Sequence, residues 1–417
     1  MAIPLLAEEF RNAVAKDKDL RMRTEAKTDV GYPTGLTPFD FMNGYVIHVN
    51  NEEKNIHQKY YCLGITDGSF NSIIGKSGSG KTTLCVQSAA NIIRNFPTAT
   101  CFIDTAEGGI TTSRAEVLTG FHGEEFRSRF IMRNTGITAE NFYKRIKMIH
   151  DIKLANPDQY MYDTGRLDIF GNPLWTFEPT VYILDSVAVL YPENMLDDEE
   201  LKAASGMNTA KSTQVVTQLV GAAIQMLKSA NIIVLSVNHI KEQIATGPFM
   251  KAPDVKYLKP GEYLPKGKAV TLLSNNIIRL DVSTKLKPTE TFHVDGHIVN
   301  VSNMKSRSSA ANHSVPLVFE QNTGFNSVLS IIQFLKESNR INGSGVGLYF
   351  DDNKEFKFAL GNVLEKLENP AFRKVFENVA FDQLSKLCVD SFQLENVSKN
   401  NDITNSILSR LNTVNIQ

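Results

Sequence analysis

Gly75-Lys76-Ser77-Gly78-Ser79-Gly80-Lys81-Thr82 is the stretch on which the reading of this chain turns. It fits G-x-x-x-x-G-K-[ST], the phosphate-binding loop of nucleoside triphosphatases, and Thr83 follows as a second hydroxyl. The apolar run 70–74 ahead of it reads as a strand, and residues 82–94 behind it as a helix. In that setting the glycines let backbone N–H groups turn inward around the β- and γ-phosphates. The helix N-terminus adds partial positive charge. Lys81 is then expected to bridge phosphate oxygens, and the Thr82 hydroxyl to hold Mg²⁺.

Outward from the loop, strands and helices alternate. Residues 99–104, 181–185, 232–238, 276–281 and 297–304 read as strands, and residues 210–229 as a long helix between the third and fourth. Alternation of this kind predicts an α/β fold with a mostly parallel wound sheet. The last strands carry period-two patterning and read as an antiparallel extension.

Four units are expected along the chain. Residues 1–30 carry a short helix with Leu6, Phe10 and Val14 on one face, then a charged tether. That face needs a partner, either its own domain or a neighbouring subunit. Residues 31–325 form the nucleotide core, with residues 50–55 as an exposed hairpin tip and an aromatic hairpin insertion over 151–180. Residues 326–395 form a small C-terminal α/β domain, and the polar, Asn-rich 396–417 a flexible tail.

Bulk properties narrow the function classes. A chain of 417 residues with 42% apolar and 21% charged residues has the composition of an ordinary globular protein. A formal net charge of −1 gives no global basic signature, so any nucleic-acid contact must come from a local patch. Cys62, Cys85, Cys101 and Cys388 form no C-x-x-C pair, which argues against a zinc ribbon. With no disulfide framework, a reducing cytoplasm is the expected home. The opening MAIPLLAEEF is too short an apolar run for a signal peptide, and no stretch is suited to span a bilayer.

Hydrolysis needs more than a phosphate loop. The strand 181–185 ends in Asp185, which is expected to reach the magnesium shell. The strand 99–104 runs into Asp104-Thr105-Ala106-Glu107. Glu107 is the expected general base for the attacking water, with Asp104 as the alternative. Asn238 and His239 close the apolar run 232–235 and should face a polar site.

Taken together, the runs 75–83, 102–111, 181–190, 234–240 and 304–307 resemble the RecA-type recombinases, and within them the phage UvsX-like branch. The similarity covers roughly residues 30–325. It implies a RecA-like ATPase core, ATP and Mg²⁺ as cofactors, and strand exchange on DNA. It implies that Asn238 and His239 sense the γ-phosphate. It implies that Lys305 and Arg307 reach the nucleotide of the adjacent subunit, completing its site in trans. Arg114 stands where the family commonly stacks a tyrosine on adenine, and Glu107 lies one residue further from Asp104 than the family pattern has it.

The resemblance also places DNA on two loops. The first holds Met195 and Leu196, beside an acidic run. The second, residues 241–268, holds Lys241, Lys251, Lys256, Lys259, Lys266 and Lys268 with Phe249 interleaved, a pattern suited to a single-strand groove. The implied partners are single-stranded DNA, homologous duplex DNA, further copies of the chain in a helical filament, a loading or mediator protein, and a single-strand-binding protein. Two rival readings share this motor core: a DnaB-like ring helicase, expected to carry a large domain ahead of it, and a KaiC-like scaffold, expected to duplicate it.

Overall fold

The computed structural model describes residues 30–52, 54–105, 109–133, 137–168, 171–193, 206–242, 257–264, 268–288 and 294–390; side chains at 189, 206–212, 268–270, 389 and 390 lie outside that description. The expected N-terminal helix and C-terminal tail fall outside the described residues.

A nine-stranded sheet organises the chain. Its strands are β1 (Phe70–Gly75), β2 (Cys101–Thr105), β3 (Phe130–Arg133), β4 (Thr180–Asp185), β5 (Ile232–His239), β6 (Asn276–Leu286), β7 (Gly296–Lys305), β8 (His313–Glu320) and β9 (Gly324–Asn326). They lie in the order β9-β8-β7-β6-β1-β5-β4-β2-β3. From β6 to β3 every neighbouring pair is parallel. From β6 to β9 the pairs are antiparallel, the expected extension. The outcome is a large, mostly parallel central sheet.

Period-two alternation sends successive side chains to opposite faces. Cys101, Ile103, Val181, Ile183, Ile233 and Leu235 pack with Leu84, Cys85 and Ala89 of helix α1 (Lys81–Arg94). Phe70, Tyr182, Leu184, Ile232 and Val234 pack on the other face with helices α2 (Ala139–Ala155) and α3 (Gly206–Ala230). Strands β1 and β4 are buried at every position, as sheets covered on both faces require. The carboxyl ends of β1, β5 and β4 therefore open at one rim, where ligands bind in open parallel sheets.

The insertion is shorter than the expected 151–180. Helix α2 runs through residue 155 because Phe142, Ile146, Ile149 and Lys153 hold one buried stripe at helical spacing. The hairpin itself comprises Met161–Leu167 and Pro173–Phe177. It leans on a second hairpin, Tyr45–Asn51 with Ile56–Cys62. There Arg166 sits over the Tyr60 ring and donates to Tyr61 O at 3.2 Å. C-terminal to the sheet come Ser327–Glu337, a three-stranded sheet and Pro370–Leu384. Phe350, Phe358, Phe372 and Phe376 of this region join the same apolar cluster as the α1 face of the sheet. Among the described residues no helix is long and apolar enough to cross a membrane.

Candidate nucleotide site

Close backbone packing explains the glycines of the phosphate loop. A Cβ at Gly75 would stand 2.6 Å from Leu280 O, on the neighbouring strand β6. Gly80 has φ +85°, and its Cβ would meet Phe325 at 2.9 Å. Helix α1 begins directly after it, and Gly80 has no side chain to cap its first N–H groups. Lys81 is buried, and its Nζ donates to Lys76 O at 2.7 Å, inside the loop.

Thr82 Oγ1 donates to Asp185 Oδ2 at 2.6 Å. The hydroxyl of the phosphate loop and the carboxylate ending β4 thus meet, as the sequence leads one to expect. Next to them, β2 ends at Thr105, whose Oγ1 accepts the Gly109 N–H at 3.2 Å. A Cβ on Gly109 would lie 3.4 Å from Asp185 Oδ2. The chain therefore leaves β2 and returns beside Asp185. Glu107, in between, lies outside the described residues.

Among the described residues, two buried polar atoms at this rim have no hydrogen-bond partner: Ser79 Oγ and Asn238 Nδ2. Asn238 pairs in register with Ile74 and His239 with Gly75, so the end of β5 lies against the start of the loop. Unsatisfied buried donors are rare in folded proteins and point to a missing acceptor. With the uncapped helix and the Lys81 ammonium, they fit a polyphosphate. Among the described residues no cluster of three or more His, Cys, Asp or Glu side chains forms a metal cage. The Thr82–Asp185 pair fits Mg²⁺, which takes one or two protein oxygens together with phosphate and water.

Asp104 does not belong to this rim. It points to the α2 face, one position out of step with Thr105, and accepts hydrogen bonds from Arg145 and from the Tyr182 hydroxyl. Burial raises the Tyr182 pKa, and the Asp104 charge adds to it. Asp104, expected as the alternative base and at the nucleotide, is thus engaged on the α2 face by two side chains of the protein.

No family model matches the chain. It is similar to Protein RecA of Aquifex aeolicus (strain VF5), 26% identical over 244 residues, which cover 58% of this chain and 57% of that protein. It is similar also to DNA repair protein RAD51 homolog 4 of Mus musculus, 23% identical over 168 residues, 40% of this chain and 47% of that protein. The core is RecA-like. The chain spans about half the length of the curated relatives it matches, and the distant homology supports the RecA-type recombinase family at that coarse level.

The remaining expected site residues divide between engaged and undescribed. Arg114 donates through Nη2 to Gln321 O at 3.0 Å and through Nη1 to Asn322 O, so its guanidinium holds the turn between β8 and β9. Lys305 Nζ donates to Leu272 O at 2.7 Å and Ser274 O at 2.9 Å. Arg307 Nη2 reaches Leu273 O at 3.4 Å. Both cations cap the end of the short helix Lys268–Leu273, where unpaired carbonyls attract positive charge. Burial lowers the Lys305 pKa, and Arg307 beside it adds to the effect.

Lys241 is exposed on a two-residue strand, and Lys259 lies 3.3 Å from Asp281. Met195, Leu196, Phe249, Lys251, Lys256 and Lys266 lie outside the described residues, as does the Lys268 side chain. Sequence reading missed one group at this rim altogether. Arg279, buried in β6, bonds both Glu262 oxygens at 2.7 and 2.9 Å and Asp281 at 2.8 and 3.0 Å. An Arg inside the apolar run 277–280, with Asp two residues on, was the available signal.

Proposed function

We propose that this chain is an ATP-dependent DNA strand-exchange recombinase of the phage UvsX-like branch, assembling on single-stranded DNA as a helical filament. The observation that carries the reading is the Thr82–Asp185 pair beside the unsatisfied Ser79 and Asn238, set in a RecA-like core.

Residues 75–82 hold the phosphates in this reading, and Thr82 with Asp185 holds Mg²⁺. Bound Mg²⁺ neutralises charge on the phosphate oxygens. Glu107 takes the proton of the attacking water. Asn238 and His239 report phosphate occupancy to the chain that follows β5. Lys305 and Arg307 leave the helix end they cap here and serve the neighbouring subunit's nucleotide, where cations stabilise charge developing in the transition state. DNA lies along residues 241–268, with Met195 and Leu196 inserting between bases. Homologous duplex DNA, a mediator and a single-strand-binding protein complete the set of partners.

Negative-stain imaging with single-stranded DNA and a slowly hydrolysed ATP analogue tests the assembly. Helical filaments are the expected result. Closed six-membered rings would move the protein to the helicase reading.

A further inference from the structure

Two carboxylates oppose each other at the neck of the chain segment that follows β5. Lys241–Glu242 pairs antiparallel with Glu262–Tyr263, and the register sets Glu242 directly across from Glu262. Like charges at such positions weaken a strand pair unless each is neutralised. Here each has its own cation. Glu262 is buried and gripped at both oxygens by buried Arg279, which also donates to Tyr257 O at 3.2 Å. Burial by itself would raise the Glu262 pKa, but the Arg279 bonds outweigh it and hold the carboxylate charged.

Glu242 is paired instead with Lys76, the second residue of the phosphate loop. The two neutralisations differ in kind. Arg279–Glu262 is bidentate and desolvated, with side-chain exposures of 4% and 4%. Lys76–Glu242 stands in water, with exposures of 55% and 66%. Exposed pairs are weak and yield to a stronger competitor. A cavity of about 450 Å³ lies between them, lined by Lys76, Ser77 and Ser79 on the loop side and by Glu242, Glu262 and Asp281 opposite. Lys259, the other cation lining it, lies against Asp281.

We propose that the Lys76–Glu242 pair is a phosphate-sensitive latch on this neck. When the loop is filled, Lys76 turns from Glu242 to the phosphate oxygens. Glu242 then faces Glu262 without a counter-charge, and the two-residue ladder parts. The idea rests on the reading of residues 75–82 as a nucleotide site, and it deepens that reading by naming the side chains through which occupancy reaches the neck.

Hydrogen–deuterium exchange of the full chain, read in peptides covering 241–242 and 262–263, tests the latch. A slowly hydrolysed ATP analogue is the probe, and calorimetry on the same samples records whether it binds. Exchange at the neck should rise about fivefold on binding, the scale of one exposed ion pair. Lys76→Met should raise it to a similar level with no nucleotide present. Glu242→Gln should leave the neck protected with or without nucleotide. Unchanged neck exchange in wild-type samples that calorimetry shows to be loaded would overturn the latch. So would a Lys76→Met neck as protected as the wild type. Absence of any calorimetric binding would instead sink the nucleotide-site reading, and the nucleotide-free Lys76→Met result would still decide the ion pair.

Discussion

Thr105 and Asp104 are neighbours on β2, yet they end in opposite surroundings. Thr105 shares the α1 face with Asp185, whose carboxylate accepts from Thr82 of the phosphate loop. Asp104 shares the other face with Arg145 and Tyr182, which both donate to it. On the first face the carboxylate meets the phosphate loop; on the second it is taken up by partners within the protein. A satisfied buried network rigidifies the fold, whereas unsatisfied donors beside a positive helix end mark where a ligand belongs. Polar residues at a strand end therefore cannot be assigned by type alone. The face decides.

The comparison breaks most visibly in turnover. Glu107→Gln should slow ATP hydrolysis by roughly 10²–10⁴-fold, the usual contribution of a general base. Asp104→Asn should leave hydrolysis within about threefold of wild type while lowering stability by about 1–3 kcal/mol, the scale of a disturbed buried hydrogen bond. Steady-state hydrolysis and urea unfolding on the same preparations read both effects. A larger kinetic loss in Asp104→Asn would reverse the roles of the two faces.

Binding is the next largest effect. Lys81→Ala removes the ammonium inside the loop and should weaken nucleotide affinity about 100-fold, as loss of a charged hydrogen-bonding partner does. Calorimetric titration checks it, and unchanged affinity would remove the phosphate-loop assignment.

The smallest effect sharpens the description of the far face. Lys153 of α2 is buried, with Nζ donating to Glu178 O at 2.7 Å and Ala230 O at 3.0 Å. Burial lowers its pKa to about 7. Between that value and the ordinary lysine range the unfolded chain binds a proton that the native amine does not. Stability should therefore rise with pH across this window, by about 1 kcal/mol per pH unit. Urea midpoints from pH 7 to 10 measure the slope, and Lys153→Met should flatten it. An equal slope in the variant would assign the pH dependence to other groups.

The sequence made the phosphate loop, Asp185 and the run of sheet strands legible, because each is written in local pattern: glycine spacing, apolar runs and a carboxylate at a strand end. The α2 boundary was missed because a helical stripe ran on into residues whose turns and aromatics suggested a hairpin. The partners of Asp104 were invisible because Tyr182 and Arg145 reach it from β4 and α2, and only the fold brings them together. The partners of Arg114, Lys305 and Arg307 were invisible for the same reason: each binds backbone carbonyls of a distant turn or helix end. The Glu242–Glu262 opposition depends on strand register, which no short window of sequence displays.

The central claim is that this core hydrolyses ATP in response to DNA. Its most direct test is steady-state ATP hydrolysis by the full chain with and without single-stranded DNA, beside Glu107→Gln. The account predicts hydrolysis that rises when single-stranded DNA is added and is lost in the variant. Hydrolysis that ignores DNA, or a wild-type protein that binds the nucleotide and never turns it over, would contradict it.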